Sequence, residues 1–244
     1  MSRVLFLCSG NTCRSPMAAG IAQRVFGPSH TIMSAGAETG SGGPLAPNAV
    51  LAASELGIDI SNHSTVDMTD LDLASFDLLV VFRPSSAEYV ALPQGVPVAY
   101  LDVADPYGSS LETYSAAARK IERGIRRLYV EDALRRASSG NVQLSSHLSG
   151  IFNRAAKECE KEVARFVATE LQRPAAPKAT MGQFAELIAA VSIGRPGLAK
   201  LSATVARAND VWVNVKHRND PSVEDLVEGL TAVERVLELL EQIA

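Results

Sequence analysis

Cysteine is scarce in this chain. The 244 residues hold three: Cys8, Cys13 and Cys159. An odd, low count does not build the disulfide framework of a small secreted domain. Long apolar runs are missing too, since no stretch approaches the roughly 18 apolar residues of a membrane span. The first apolar run, Val4 to Leu7, is too short for the core of a secretory signal and passes directly into a polar loop. These absences together read as a reduced, cytoplasmic protein that needs no membrane. Net charge is only −4, which selects no partner class and calls for no nucleic acid. The four histidines, His30, His63, His147 and His217, show no metal-ligand spacing. Neither a metal nor a cofactor is expected. Acids are absent from the beginning of the chain: the first is Glu38, and Arg3, Arg14 and Arg24 all precede it. The amino-terminal end should therefore favour anions.

The remaining pattern is that of an α/β domain followed by helices. Val4-Leu5-Phe6-Leu7 is a fully apolar run of the kind a buried parallel strand carries. Ser15-Pro16 reads as a helix start, with Ser15 as N-cap and Pro16 first in the helix. Met17, Ile21, Val25 and Phe26 then recur at helical spacing, and Gly27 ends the helix. Strands are expected at Thr31 to Met33, Leu78 to Phe82 and Val96 to Leu101. Helices are expected from about Asn48 to Gly57, Ser85 to Ala91 and Leu111 to Ala137. Alternation of this kind implies a four-stranded parallel sheet with helices on both faces. Loops that follow its strands open on one edge, where such sheets place their sites.

Beyond a linker at 138–143 the strand signals stop, and residues 144–244 read as an all-α bundle. Its expected helices cover 144–171, 181–192, 198–217 and a last one from Ser222, where Ser222 to Asp225 fits a capping box. Trp212 is expected in its core. The last 24 residues carry six acids against one base, Arg235. The helix from Leu111 carries seven bases, including Arg123 and Arg126, which read as a solvated face.

The chemistry lies in Cys8-Ser9-Gly10-Asn11-Thr12-Cys13-Arg14-Ser15, between a strand and a helix start. Backbone N–H groups of such a loop and of the helix start can converge on one oxyanion. Gly10 is expected to supply backbone angles that a side chain would forbid. Arg14 can offer two phosphoryl oxygens a bidentate fork. The same field favours a thiolate at Cys8, able to attack phosphorus, with Ser15 offering it a hydroxyl.

The run Val4 to Ala18 closely resembles the opening of low-molecular-weight protein-tyrosine phosphatases. Ser34-Ala35-Gly36 resembles that family's segment after the second strand, and Asp105-Pro106-Tyr107 its Asp-Pro-aromatic loop after the fourth. The resemblance covers residues 1–137 and none of the rest. It implies a flavodoxin-like fold and a phosphorylated protein as substrate. It implies Cys8 as nucleophile through a phosphocysteine, Asp105 as general acid and then base, and Arg14 as phosphate clamp. Ser9 to Ser15 would cradle the phosphate, with Asn11 and Ser15 holding the loop in shape. It implies a reversible disulfide between Cys8 and Cys13 that protects the nucleophile. Threonine at position 12 is similar to the members that act on phosphoarginine, whereas tyrosine-selective members commonly carry a bulkier β-branched aliphatic residue there. Tyr107 departs from the phenylalanine usual in the arginine-selective members and keeps phosphotyrosine open. Arsenate reduction uses the same loop but needs further redox cysteines, and residues 83–91 contain none. A phosphate-binding module without catalysis is the remaining alternative. For residues 144–244 the expectation is regulation, substrate recruitment or pairing of two copies.

Overall fold

The computed structural model describes residues 2–85, 87, 90–137, 143–173, 179–218 and 221–243. The chain divides into two compact units, Met1–Tyr129 and Val130–Ala244. The division falls inside one long helix.

The first unit is built on four parallel strands: β1 (Ser2–Cys8), β2 (His30–Gly36), β3 (Leu78–Arg83) and β4 (Val98–Asp102). Their order across the sheet is β2-β1-β3-β4. The apolar run therefore forms a central strand, paired on both sides. Leu5 and Leu7 point into a cluster with Leu79, Val81, Met68 and Phe76. The alternate residues Phe6, Val80 and Phe82 are equally buried, so both faces of the sheet are covered, as parallel sheets require. Helices α1 (Arg14–Phe26), α2 (Pro47–Glu55) and α3 (Leu111–Ala137) flank it. The helix expected from Ser85 to Ala91 involves Ser86, Glu88 and Tyr89, which lie outside the described residues.

Two expectations about helices are corrected. Ser15 is not the N-cap of α1. Cys13 takes that position without a side-chain cap bond, and the Ser15 hydroxyl is used elsewhere. The basic face of α3 is not wholly solvated either. Arg123 and Arg126 are buried. Glu122 Oε1 stands 3.5 Å from Arg126 Nη1 and 2.6 Å from Arg24 Nη2 on α1. A buried carboxylate between two guanidiniums is what such burial demands.

The second unit contains four helices: α4 (Gln143–Thr169), α5 (Met181–Ala190), α6 (Pro196–His217) and α7 (Val223–Ile243). α4 packs on α5 and α7, and α6 packs on the same two. Leu148, Ile151, Phe152, Cys159, Val163 and Val167 of α4 are buried, with Leu226, Leu230, Val233 and Leu237 of α7. Gly229 lets α7 approach closely, since a Cβ there would stand 2.6 Å from the Phe152 ring. The capping box at the start of α7 is present: Ser222 N–H donates to Asp225 Oδ2 at 3.0 Å and Asp225 N–H to Ser222 Oγ at 3.1 Å. Val211 to Val213 is helical, and Trp212 is half-buried rather than core. The linker expected at 138–143 lies, apart from Gln143, outside the described residues. Among the described residues no helix is long and apolar enough to cross a membrane.

Candidate active site

Parallel strands send their following loops to one edge, and the loops after β1 and β4 meet there. Cys8 is the last residue of β1. Its Sγ lies 3.0 Å from Ser15 Oγ, both buried. Asn11 Nδ2 donates to Ser15 Oγ at 2.8 Å and to Ser34 Oγ at 2.9 Å. Asn11 Oδ1 accepts from Val66 N–H at 2.8 Å. His63 completes the set, with Nε2 3.2 Å from Ser34 Oγ and 3.4 Å from Asn11 Oδ1. Burial lowers the His63 pKa below the ordinary imidazole range, which favours a neutral ring able to serve both neighbours.

This network explains the shape of the loop. The left-handed residue is Asn11, at φ 47°, and not Gly10. A non-glycine residue in that region is strained unless its surroundings hold it, and the fully buried Asn11 amide is held by four polar neighbours. Gly36 is required for the same reason from the other side. A Cβ on it would stand 2.8 Å from Ser9 O and 2.9 Å from Asn11 N. No protein acceptor among the described residues takes the backbone N–H groups of Gly10, Asn11 and Thr12. Three successive loop amides without a protein partner form the kind of concavity that binds anions.

Arg14 is 1% exposed. Its Nη1 donates to Pro84 O at 2.7 Å and Val103 O at 3.2 Å, and its Nη2 to Asp105 Oδ2 at 2.5 Å. Nε has no partner, which leaves a donor on the Nε–Nη2 edge, the edge that grips oxyanions in bidentate fashion. Asp105 follows β4 by three residues. Its Oδ1 accepts from Tyr107 N–H at 3.1 Å and from Cys13 Sγ at 3.6 Å. Thr12 Oγ1 lies 3.8 Å from the same sulfur. Tyr107 is 68% exposed at the tip of the loop.

Cys8, Arg14 and Asp105 thus share one edge of the sheet, and Arg14 joins the two loops directly. A family model described as low molecular weight phosphotyrosine protein phosphatase matches residues 3–139. The chain belongs to that family. The matched residues are the first unit and the rest of α3. The protein-arginine-phosphatase of Geobacillus stearothermophilus is 33% identical over 137 residues, which are 52% of this chain and 93% of that one. The arsenate reductase of Staphylococcus aureus is 35% identical over 124 residues, 50% of this chain and 92% of that one. A solved low molecular weight protein tyrosine phosphatase from T. tengcongensis is 33% identical, covers 54% of this chain and 99% of that one, and superposes with a TM-score of 0.48.

Ser34, His63 and Val66 were not picked out as site residues by the motif. They lie 23 to 55 residues beyond Asn11. Only Ser34 had a local signal, in Ser-Ala-Gly. Among the described residues no group of three His, Cys, Asp or Glu stands close enough together to hold a metal ion.

Cys13 differs sharply from an ordinary thiol. Burial, then the negative charges of Cys8 and Asp105, push its pKa from 9.0 up to about 12. The Cys13 of an unfolded chain ionises first as pH rises through 9, while the folded one keeps its proton. Stability should therefore fall progressively from about pH 9 toward pH 12. Urea midpoints measured between these limits should decline more steeply for the parent protein than for Cys13→Ala. Parallel declines would contradict this assignment.

Proposed function

We propose that residues 1–137 form a cysteine-dependent protein phosphatase. The observation that carries the reading is the joining of Arg14 to Asp105 at the sheet edge where Cys8 ends β1, over loop amides that have no protein acceptor among the described residues. In the first step Cys8 Sγ attacks phosphorus. The bond from phosphorus to the leaving atom breaks, and Asp105 supplies that atom with a proton. In the second step water attacks the phosphocysteine, Asp105 accepts its proton, and phosphate and the Cys8 thiolate are released. Arg14 and the loop amides hold the phosphoryl oxygens in both transition states. Asp105 is tied to Arg14 in the resting site. A phosphoryl group that enters the Arg14 fork competes for it and frees the carboxyl for the leaving group. A reduced compartment, the cytoplasm, suits a thiol nucleophile.

Phosphoarginine is our preferred substrate over phosphotyrosine. Thr12 supports it: the side chain is small, partly exposed and polar, leaving room for a branched guanidinium. The test is turnover of matched phosphoarginine and phosphotyrosine peptides by the full-length protein. Arginine preference is expected, shifting toward tyrosine in Thr12→Ile. Tyrosine preference in the parent protein would demote Thr12 and make Tyr107 the better guide.

Arsenate reduction is the second reading, because a relative at 35% identity carries that name. It would require another thiol to take arsenic's oxidation equivalents from Cys8. Residues 83–91 offer none and Cys159 belongs to the other unit. Cys13 serves protection instead. Condensation of its thiol with an oxidised, sulfenic Cys8 forms a disulfide and releases water. The raised pKa of Cys13 makes that closure slow.

For the second unit we propose pairing with a second copy of the chain. α6 and α7 border an open groove of about 570 Å³, lined by Thr204, Arg207, Glu228, Thr231, Ala232 and Arg235 among others. Glu228 and Arg235 lie two turns apart on one face of α7, with the small pair Thr231-Ala232 midway. An antiparallel copy about a two-fold axis there sets each Glu228 beside the other copy's Arg235, the self-complementarity that isologous dimers need. Sedimentation should show a dimer that Glu228→Arg or Arg235→Glu disrupts and the double exchange restores. A monomer at tens of micromolar, or a dimer indifferent to both single changes, would dismiss this face.

A further inference from the structure

The segment leading into α2 touches both loops of the site. Ala46 N–H donates to Thr12 O in the cradle at 2.9 Å. Two residues later, Asn48 Nδ2 donates to Ser109 O at 3.2 Å. Between them stands Pro47, the first residue of the helix. Its fixed φ makes the connection stiff. The cradle follows β1 and the acid loop follows β4, with β3 between those strands. Without a bridge, their relative position would rest, among the described residues, on Arg14, the group that substrate must engage, and on the longer 3.6 Å contact of Cys13 Sγ with Asp105 Oδ1.

The acid loop has a handle for such a bridge. Ser109 N–H donates to Pro106 O at 2.9 Å and closes a turn directly after Asp105. Gly108, at φ 76°, lets the chain double back there. The closed turn spends the Ser109 N–H and leaves its carbonyl outward, where Asn48 takes it. Tyr107, inside the turn, donates its own N–H to Asp105 Oδ1. A shift of Ser109 therefore moves the group that orients the carboxyl.

We propose that Asn48 is a positioning residue for Asp105, holding the acid turn in register with the phosphate cradle through Ala46 and Thr12. The proposal rests on the reading of Asp105 as general acid. A half-buried side chain making one neutral hydrogen bond should be worth roughly a fivefold to tenfold effect, visible only where proton delivery limits the rate. Position 48 requires a donor, because its partner is a carbonyl. Aspartate there keeps the shape, removes the donor and sets a carboxylate against Ser109 O.

The experiment compares hydrolysis of phenyl phosphate and of an activated nitrophenyl phosphate by the full-length protein. A nitrophenolate leaves without help, whereas a phenolate with a conjugate-acid pKa of about 10 needs a proton. Asn48→Ala and Asn48→Asp should both lower kcat/KM on phenyl phosphate, which reports only the steps through departure of the leaving group, by roughly five- to tenfold. On the nitrophenyl ester they should change it by less than about twofold, with inhibition by inorganic phosphate and the melting temperature unaltered. In an Asp105→Asn background neither change should cost anything further on phenyl phosphate. Equal losses on the two esters, parent-like rates on both, or a full additional loss in the Asp105→Asn background would overturn the proposal. A parent protein that hydrolyses neither ester would instead sink the phosphatase reading, and this proposal with it.

Discussion

Cys8→Ser is expected to lower phosphate-ester and phosphoramidate turnover by at least about 10⁴-fold, as loss of a nucleophile does in covalent catalysis, while capture of inorganic phosphate persists. The geometry separates the two effects. Cys8 Sγ sits at the buried end of β1, 3.0 Å from Ser15 Oγ. A serine hydroxyl fits the same space and keeps a hydrogen bond to Ser15. It does not ionise near neutral pH, so it offers phosphorus no comparable nucleophile. The phosphate grip depends on other groups: Arg14, fixed by Pro84 O and Val103 O, and the amides of Gly10, Asn11 and Thr12. None of these contacts passes through Cys8. Turnover by the parent protein, set beside calorimetric binding of phosphate to both proteins, therefore distinguishes an enzyme from a silent phosphate-binding module. Loss of turnover with binding intact is the expected pair of results. A parent protein without turnover that still binds phosphate would return the silent module as the better account.

What could be read from the chain beforehand followed the range of the interactions. The strand, loop and helix around Cys8 are contiguous, so hydrophobic run, glycine and Ser-Pro were enough to place them. Asp105 became visible through the resemblance of Asp105-Pro106-Tyr107 to the family's Asp-Pro-aromatic loop, and the edge shared by parallel strands brings this residue, 91 positions away, to Arg14. The reason for the loop's shape was out of reach. Asn11 is left-handed because Ser34, His63 and Val66 hold its amide, and no local pattern announces a four-way contact across 55 residues. Gly10 attracted the expectation of a special backbone angle because glycine permits one; permission is not requirement. Ser15 had the sequence of an N-cap, but a hydroxyl able to reach both Cys8 and the Asn11 amide is better used inside the first turn. Arg126 resembled a surface base until Glu122, four residues before it, proved buried beside it. Polar pairing, rather than propensity, decided each of these cases.

Asp105→Asn is the second large effect, expected to cost about 10²- to 10⁴-fold on substrates whose leaving atom must be protonated. Asparagine preserves most of the resting geometry. Its carbonyl oxygen still accepts from Arg14 Nη2 or from Tyr107 N–H, so the 1%-exposed guanidinium keeps an acceptor. Asp105→Ala takes that acceptor away, and an unmet buried donor costs about 1–3 kcal/mol. The alanine variant should therefore melt earlier than the asparagine variant, while both lose the proton donor. The loss in kcat/KM, which excludes the shared hydrolysis of the phosphocysteine, should depend on the leaving group. It should be small for an activated nitrophenyl ester, larger for phosphotyrosine and largest for phosphoarginine, whose guanidino nitrogen is a far poorer leaving group unless protonated. A uniform loss across the three substrates would mean that position 105 serves mainly to fix Arg14. Proton delivery would then have to come from another group at the mouth of the site, with exposed Tyr107 the first to replace.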